Sequence, residues 1–297
     1  MLLCVSDALL QQDASRIAAL QTALLAGDAV SLADPLARAA VWRLRTLRPE
    51  TVSELKAWAR EAEVSIAFFD RLPRWSDFSV LMTDMDHTLI EADVLKELAE
   101  MAGRREAYQA VLASLKAGSM SFETSLKERA RLLEGLPESA IERVVSGLSF
   151  SPGIVSLIAE ARRRGLRTYV LSSGIDDIAQ PLSEMLGMTG AIANHLDIRE
   201  GYLTSDIKGP LGGPLLDADG KCQQMIRISN ILSTRGSASA LCCGDSGNDA
   251  LMLEAAGMGV AFYGSDTAVK ATNININAGG FEWVSDLLEL HERLEGD

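Results

Sequence analysis

Two aspartates one residue apart, at the end of an apolar run, are the side chains best placed to do chemistry in this chain. They stand in V-L-M-T-D-M-D-H-T-L, residues 80–89, as Asp84 and Asp86, with Thr88 two positions further on. Successive side chains of an extended chain point to opposite faces. Asp84 and Asp86 therefore project to one side, just where the strand runs out. Two carboxylates that close raise each other's pKa unless a cation lies between them. A hard, oxygen-preferring ion such as Mg2+ resolves the conflict, with one carboxylate as ligand and nucleophile and the other moving protons. The plainer alternative is a strand end followed by a helix cap at Thr88, with both aspartates solvated.

Two further polar clusters follow apolar runs. In L-S-S-G, residues 171–174, Ser173 and Gly174 offer a hydroxyl and backbone N–H groups that could hold a phosphoryl oxygen; an ordinary serine cap reads the same way. In G-D-S-G-N-D, residues 244–249, Asp245, Asn248 and Asp249 crowd three acidic or amide groups into five residues, more than a cap requires. Asp245 is the candidate metal ligand. Asp249 is a further ligand, a ligand through water, or an orienting group, and Asn248 supports them. So many carboxylates call for a positive charge besides the ion. Lys221, set by the D-G turn of L-D-A-D-G-K-C at a helix start, is the candidate, although alone it would read as a surface lysine.

The elements that must position these residues alternate after residue 80. A strand reaches Asp84, and a charged helical region runs from Asp93 to about Ser149, broken at Gly103, Gly118-Ser119 and Gly135-Leu136-Pro137. Strands are expected at 167–173, 191–198, 201–206, 238–245 and 257–262, with helices from Pro152, from about Asp176 and over about 220–233. N-I-N-I-N, around Ile274–Ile276, alternates like an edge strand. Such a pattern predicts an α/β fold with a doubly wound parallel sheet, in which ligands bind beyond the carboxyl ends of the strands. All three polar clusters fall at such ends. Residues 1–63 read as helical, from the spacing of Ile17-Ala18-Leu20-Leu24 and Val41-Leu44-Leu47 and a helix starting near Pro49, and residues 64–69 read as a strand. The expected division is an N-terminal, mostly helical extension over 1–73, a core over 74–92 and 151–297, and a helical insertion over 93–150. The extension carries no chemistry that can be read; structural, regulatory and dimer-forming roles stay open.

Composition narrows the partners. With 41 acidic residues against 28 lysines and arginines the net charge is −13, which leaves no electrostatic footprint for nucleic acid or an anionic membrane. Arg162, Arg163 and Arg164 precede Gly165 and suit the negative end of a helix dipole. Cys4, Cys222, Cys242 and Cys243 form no C-x-x-C pair, a reducing-compartment pattern without a zinc site, and Cys242 and Cys243 read as buried strand residues. The N-terminus has no positive n-region and meets Asp7 and Asp13 early, and no apolar run approaches the roughly 18 residues of a membrane helix. A cytoplasmic protein acting on a small molecule is expected. His195 and His291 read as structural or solvated.

In order, D-M-D-H-T, S-S-G, the lysine and G-D-S-G-N-D resemble the four motifs of the haloacid dehalogenase superfamily of phosphatases. E-A-D-V-L-K-E-L-A-E, S-F-E-T-S-L-K-E-R-A-R-L-L-E-G-L (121–136), L-D-I-R-E-G-Y-L-T and D-A-D-G-K resemble its phosphoserine phosphatase branch, from about residue 74 to the last strands. The N-terminal segment is similar to a reduced form of the regulatory extension some of these enzymes carry. The resemblance implies that Asp84 attacks phosphorus and forms an aspartyl phosphate, while Asp86 protonates the leaving alkoxide and then activates water. It implies that Thr88, Ser173, Gly174 and Lys221 hold phosphoryl oxygens, and that Asp84, the Asp86 carbonyl and Asp245 hold magnesium. In the helical cap, the resemblance implies that Asp93 meets the substrate ammonium and Arg129 its carboxylate, and that Phe122 is the cap aromatic. The chain departs from the branch at Asp93, where glutamate is usual, at His87, where a small serine is usual, and at Ile175, followed by Asp176 and Asp177, where S-G-G-F is usual. Other small phosphometabolites, transfer to an acceptor alcohol, and a catalytically dead binding protein on the same scaffold remain rival readings.

Overall fold

The computed structural model describes residues 2–6, 30–32, 39–43 and 49–295. Its strands, among the described residues, form one eleven-stranded sheet in the order β2-β3-β1-β4-β11-β10-β9-β5-β6-β7-β8. In chain order these are β1 (Leu2–Ser6), β2 (Val30–Leu32), β3 (Ala39–Arg43), β4 (Ile66–Phe69), β5 (Val80–Thr83), β6 (Arg167–Ile175), β7 (Gly190–Arg199), β8 (Tyr202–Lys208), β9 (Ala240–Gly244), β10 (Met258–Phe262) and β11 (Ile274–Ile276). The run from β11 through β10, β9, β5 and β6 to β7 is parallel, as the strand–helix alternation predicts.

The helices are α1 (Pro49–Glu61), α2 (Val94–Met101), α3 (Arg105–Lys116), α4 (Phe122–Arg131), α5 (Ser139–Gly147), α6 (Ile154–Arg163), α7 (Asp176–Met185), α8 (Ala218–Leu232), α9 (Ala250–Ala255), α10 (Asp266–Ala271) and α11 (Glu282–Glu295). The central strands are buried along their whole length, so they read as apolar runs without a polar face. Their alternate residues feed two cores. Leu81, Leu241 and Cys243 pack with Ile154, Leu157 and Val284 on one face. Val80, Met82, Ala240 and Cys242 pack with Met225, Met252 and Ala268 on the other. Helices thus cover both faces, and no described helix is long and apolar enough to cross a membrane.

Four helices, α2 to α5, form the insertion between β5 and α6, and glycines stand at the breaks between them as the sequence predicts. Gly103, Gly118 and Gly135 all take positive φ, a conformation glycine adopts without steric cost. α2 is capped by Asp93 and α4 by Ser121, each accepting from the backbone N–H three residues on. At the end of α6, Arg163 and Arg164 pair with Glu160 and Arg162 donates to the Leu186 carbonyl, in keeping with a helix-end role.

Three expectations need correction. Within the region read as helical, residues 2–6, 30–32 and 39–43 are strands, with β1 pairing antiparallel to both β3 and β4; only 49–61 is helical among the described residues before β4. Val41 and Trp42 suit a strand as well as a helix, and pairing with β1 and β2 overrides a periodicity too short to decide. The Ile17–Leu24 stretch lies outside the described residues. Next, β11 is not an edge: β10 lies on one side and β4 on the other, which is why Ile274 and Ile276 are fully buried. Finally, Ser172 to Gly174 do not follow β6 but lie within it, across an irregular register between Leu171 and Ile175.

Candidate active site

The site is built at the carboxyl ends of β5, β6 and β9. Asp84 follows β5 and its N–H donates to the Cys243 carbonyl at 2.9 Å, so the ladder to β9 fixes where its carboxylate starts. The chain then turns tightly: Thr88, Leu89 and Ile90 all donate N–H bonds to the Met85 carbonyl. His87 takes φ +57° in this turn, a left-handed conformation more open to histidine than to most residues with a side chain. The turn places Asp86 beside Asp84, and the Val94 N–H at the start of α2 donates to Asp86 Oδ1 at 3.1 Å.

Lys221, in the first turn of α8, is 1% exposed. Its Nζ donates to Asp84 Oδ1 at 2.5 Å and to Asp249 Oδ1 at 2.7 Å. Burial works against the ammonium, but the Asp249 and Asp84 carboxylates more than offset it and hold its pKa above the ordinary lysine value. Lys221 is thus the internal counter-charge that the acidic cluster calls for.

Asp249 closes the floor. Its Oδ2 accepts from the N–H groups of Asp245 and Ser246 and from the Ser246 hydroxyl. A methyl on Gly244 would stand 2.6 Å from Asp249 Cβ and Cγ. The glycine is needed for that close approach; neither Gly244 nor Gly247 takes the positive φ of a left-handed turn. With both oxygens engaged, Asp249 orients the cluster and leaves Asp245 freer to act as a ligand.

Carboxylate oxygens of Asp84, Asp245 and Asp249 lie within 4.8 Å of one another. Burial first, then the charges of its neighbours, push Asp84 up to about 6 and Asp245 up to about 8. One ammonium against three carboxylates is not enough to hold them all ionised. An all-oxygen donor set with surplus negative charge fits a hard divalent cation, so these residues offer a metal site. Asp86 is also raised well above the ordinary carboxylate range, by burial and then by the charges of Asp93 and Asp84.

Around this floor the structure gathers nearly every residue named from the sequence. Asp84, Asp86, Lys221 and Asp245 line one pocket with Ser173, Gly174 and Asn248, and Asp93, Phe122 and Arg129 close it from the α2–α5 side. Asn248 Nδ2 donates to Ser173 Oγ at 2.7 Å, tying β6 to the β9 loop. The Gly174 N–H donates to Ser172 Oγ, and a methyl on Gly174 would come within 2.8 Å of Met85 Cε and 3.6 Å of Asp86 Oδ2. Thr88 departs from the reading as a phosphate holder. It is fully buried and its Oγ1 donates to Asp245 Oδ1 at 3.1 Å, so it positions a carboxylate. Of the substitutions that set the chain apart, His87 lines the pocket while Ile175 is buried away from it.

Two residues escaped the sequence reading. Asn194, fully buried in β7, donates to the Ser173 carbonyl at 2.8 Å and accepts from the Leu216 N–H at 2.7 Å. An amide inside the apolar run A-I-A-N-H-L was a signal for it, since buried polar groups need partners. Tyr108, fully buried in α3, donates its hydroxyl to Asp93 at 2.8 Å; nothing in its spacing marked it. His195, half exposed, faces Asp176 at 3.2 Å.

The geometry agrees with comparisons to known proteins. The model of the haloacid dehalogenase-like hydrolases matches residues 81–254. The phosphoserine phosphatase of Haemophilus influenzae is 30% identical over 250 residues, which cover 84% of this chain and 77% of that protein. A phosphoserine phosphatase solved as an analogue of its phospho-aspartyl intermediate is 26% identical, with a TM-score of 0.63 over 71% of this chain and 98% of that one. A HAD-family hydrolase from Salmonella enterica serovar Typhi shares the fold over 97% of this chain and 98% of its own, with a TM-score of 0.82 at 24% identity. The chain belongs to the haloacid dehalogenase-like hydrolases, within the phosphoserine phosphatase family.

Proposed function

We propose that this protein hydrolyses O-phospho-L-serine to L-serine and phosphate with magnesium bound, by way of an aspartyl phosphate on Asp84. The observation that carries the reading is the arrangement of charges in one pocket. A buried nucleophile–lysine pair forms its floor, and an anionic and a cationic side chain, Asp93 and Arg129, face it from the helical insertion. A phosphorylated amino acid presents the complementary set: phosphate, ammonium and carboxylate.

Lys221 fixes one oxygen of Asp84, leaving the other to attack phosphorus in line. The serine oxygen departs as the bond to Asp84 forms. Asp86, whose pKa is raised by burial and by the charges of Asp93 and Asp84, donates a proton to the leaving oxygen. It then takes one from the water that attacks the aspartyl phosphate, so that Asp84 is regenerated and phosphate released. Ser173, held by Asn248 and Asn194, and Lys221 stabilise the transferring oxygens; Thr88 and Asp249 hold Asp245 in place. Magnesium, held by Asp84, the Asp86 carbonyl and Asp245, would neutralise charge as it develops on the phosphoryl oxygens. The helices of 93–150 act as a cap that excludes water.

His87 at the pocket wall favours a second reading, the same chemistry on another small phosphomonoester or transfer to an acceptor alcohol. A panel of phosphomonoesters, with and without added alcohols, separates the two. Magnesium-dependent turnover selective for phosphoserine supports the proposal. Equal turnover of unrelated esters, or a phosphorylated acceptor as main product, replaces it.

A further inference from the structure

The cap side of the pocket holds two opposite charges that do not pair with each other. Arg129 on α4 and Asp93 ahead of α2 form no direct ion pair among the described residues. Each instead reaches the same group, the hydroxyl of Tyr108 on α3. That hydroxyl lies 2.8 Å from Asp93 Oδ1 and 2.9 Å from Oδ2, and Arg129 Nη1 donates to it at 3.5 Å. The guanidinium carbon also stands 6.0 Å from the Tyr108 ring centroid and 5.9 Å from that of Phe122, within the range of cation–π attraction. Three helices therefore meet at one phenol oxygen.

The hydrogen count makes the arrangement specific. A neutral phenol has one proton to give and lone pairs to accept with. It gives to the carboxylate and accepts from the guanidinium, and so bridges the charges without neutralising either. Asp93 Oδ1 also takes the Lys96 N–H at 3.0 Å, which leaves Oδ2 with the Tyr108 hydroxyl as its sole partner among the described residues and with room for a donor from a ligand. Full burial fixes the ring. Burial and the neighbouring Asp93 charge raise the phenol's pKa, so it remains a donor. Without the hydroxyl, Asp93 would lose a charge-assisted bond. Its carboxylate would then be held by the Lys96 N–H alone and would be freer to close on Arg129, and a direct pair would compete with any ligand carrying both charges.

We propose that Tyr108 is a specificity-determining positioning residue: its shared hydroxyl holds Asp93 and Arg129 apart at the spacing that reads the ammonium and carboxylate of a phosphorylated α-amino acid. The inference rests on the phosphoserine reading and assigns its selectivity to a residue outside the pocket lining. With phosphate on the floor and one charge at each of the other anchors, recognition has three points, and so senses handedness as well as charge.

The test uses the full chain with magnesium, as wild type and as Tyr108→Phe, which keeps the buried ring. kcat/KM is measured for O-phospho-L-serine, O-phospho-D-serine and p-nitrophenyl phosphate. A wild type without preference for L-phosphoserine overturns the substrate reading itself. Given that preference, Tyr108→Phe is expected to lower the L-phosphoserine to p-nitrophenyl phosphate ratio about tenfold, the size expected for a lost hydrogen bond to a charged group. The loss should fall mainly in KM, with a smaller L-to-D ratio. Unchanged ratios, or equal losses on all three esters, contradict the inference, because a merely structural residue would not sort substrates. A double-mutant cycle gives a second arm. Adding Tyr108→Phe to Arg129→Ala should cost little more selectivity than Arg129→Ala alone, whereas fully additive losses would separate Tyr108 from the anchors.

Discussion

The floor of the pocket and its cap side hold charge in different ways. On the floor, Asp84, Asp249 and Lys221 are buried and paired at 2.5–2.7 Å, and Asp245 is held by Thr88. The positions are over-determined: moving one carboxylate strands another. On the cap side, Asp93 and Arg129 are only partly buried and meet through the edge of a tyrosine. The contrast suits two tasks. Phosphoryl transfer gains from charges that need not reorganise as the reaction proceeds. Substrate selection needs charges that remain available to a ligand. The proposed function assigns the reaction to the floor and its selectivity to the cap side.

The largest test of that division is Asp84→Asn, which removes the proposed nucleophile while leaving an amide of the same size. Turnover of every ester is expected to fall by at least about 10⁴-fold, with the circular dichroism spectrum unchanged; steady turnover by the variant would move the nucleophile elsewhere. Next comes Lys221→Met, which strands the buried carboxylates. Removing one partner of a buried pair costs about 3–5 kcal/mol, and chemical denaturation should show a loss of that order in magnesium-free buffer. A change under 1 kcal/mol would mean that the floor is less tightly coupled than its geometry indicates. Arg129→Ala acts on the other side of the comparison. It should lower kcat/KM for phosphoserine about 10–100-fold and affect p-nitrophenyl phosphate much less; equal losses on both would remove Arg129 from recognition.

The smallest expected effect is on pH dependence. Asp84 and Asp245 rise from an ordinary value near 3.8 to about 6 and about 8, so the metal-free fold favours their protonated forms. Their contribution to stability is full below about pH 4 and is lost as pH rises through 6 and 8. The Tm contribution of these groups therefore falls over that window. Saturating magnesium should cancel the fall, so its stabilisation is larger at pH 8 than at pH 5. A magnesium shift in Tm that does not grow with pH would place the ion away from these carboxylates.

Much of the floor was legible in the sequence because it sits where strands end. Asp84, Asp86 and Asp245 interrupt apolar runs in a way packing does not require, and Lys221 became more than a surface residue once three acidic positions needed a counter-charge. Thr88 was misplaced because sequence gives a side chain's position but not the neighbour it turns toward. Tyr108 was invisible for a stronger reason: its partners come from three helices, and no local pattern reports where separate helices meet. The N-terminal strands were lost to short-range periodicity. Val41 and Trp42 suit either structure, and only pairing with β1 and β2 decides. The same strands make β11 interior, which its own alternation could not reveal.

The central claim is that the floor works in two steps, with Asp84 as phosphoryl carrier and Asp86 as proton carrier. The most direct test is the rapid mixing of Asp86→Asn with p-nitrophenyl phosphate and magnesium. p-Nitrophenolate leaves without a proton, so the first step should proceed while the second, which needs a base, stalls. The expected result is a burst of one equivalent of p-nitrophenol followed by slow turnover, with the phosphoryl group found on the acid-quenched peptide that contains Asp84. Turnover at the wild-type rate, or a phosphoryl group on any other residue, would contradict it.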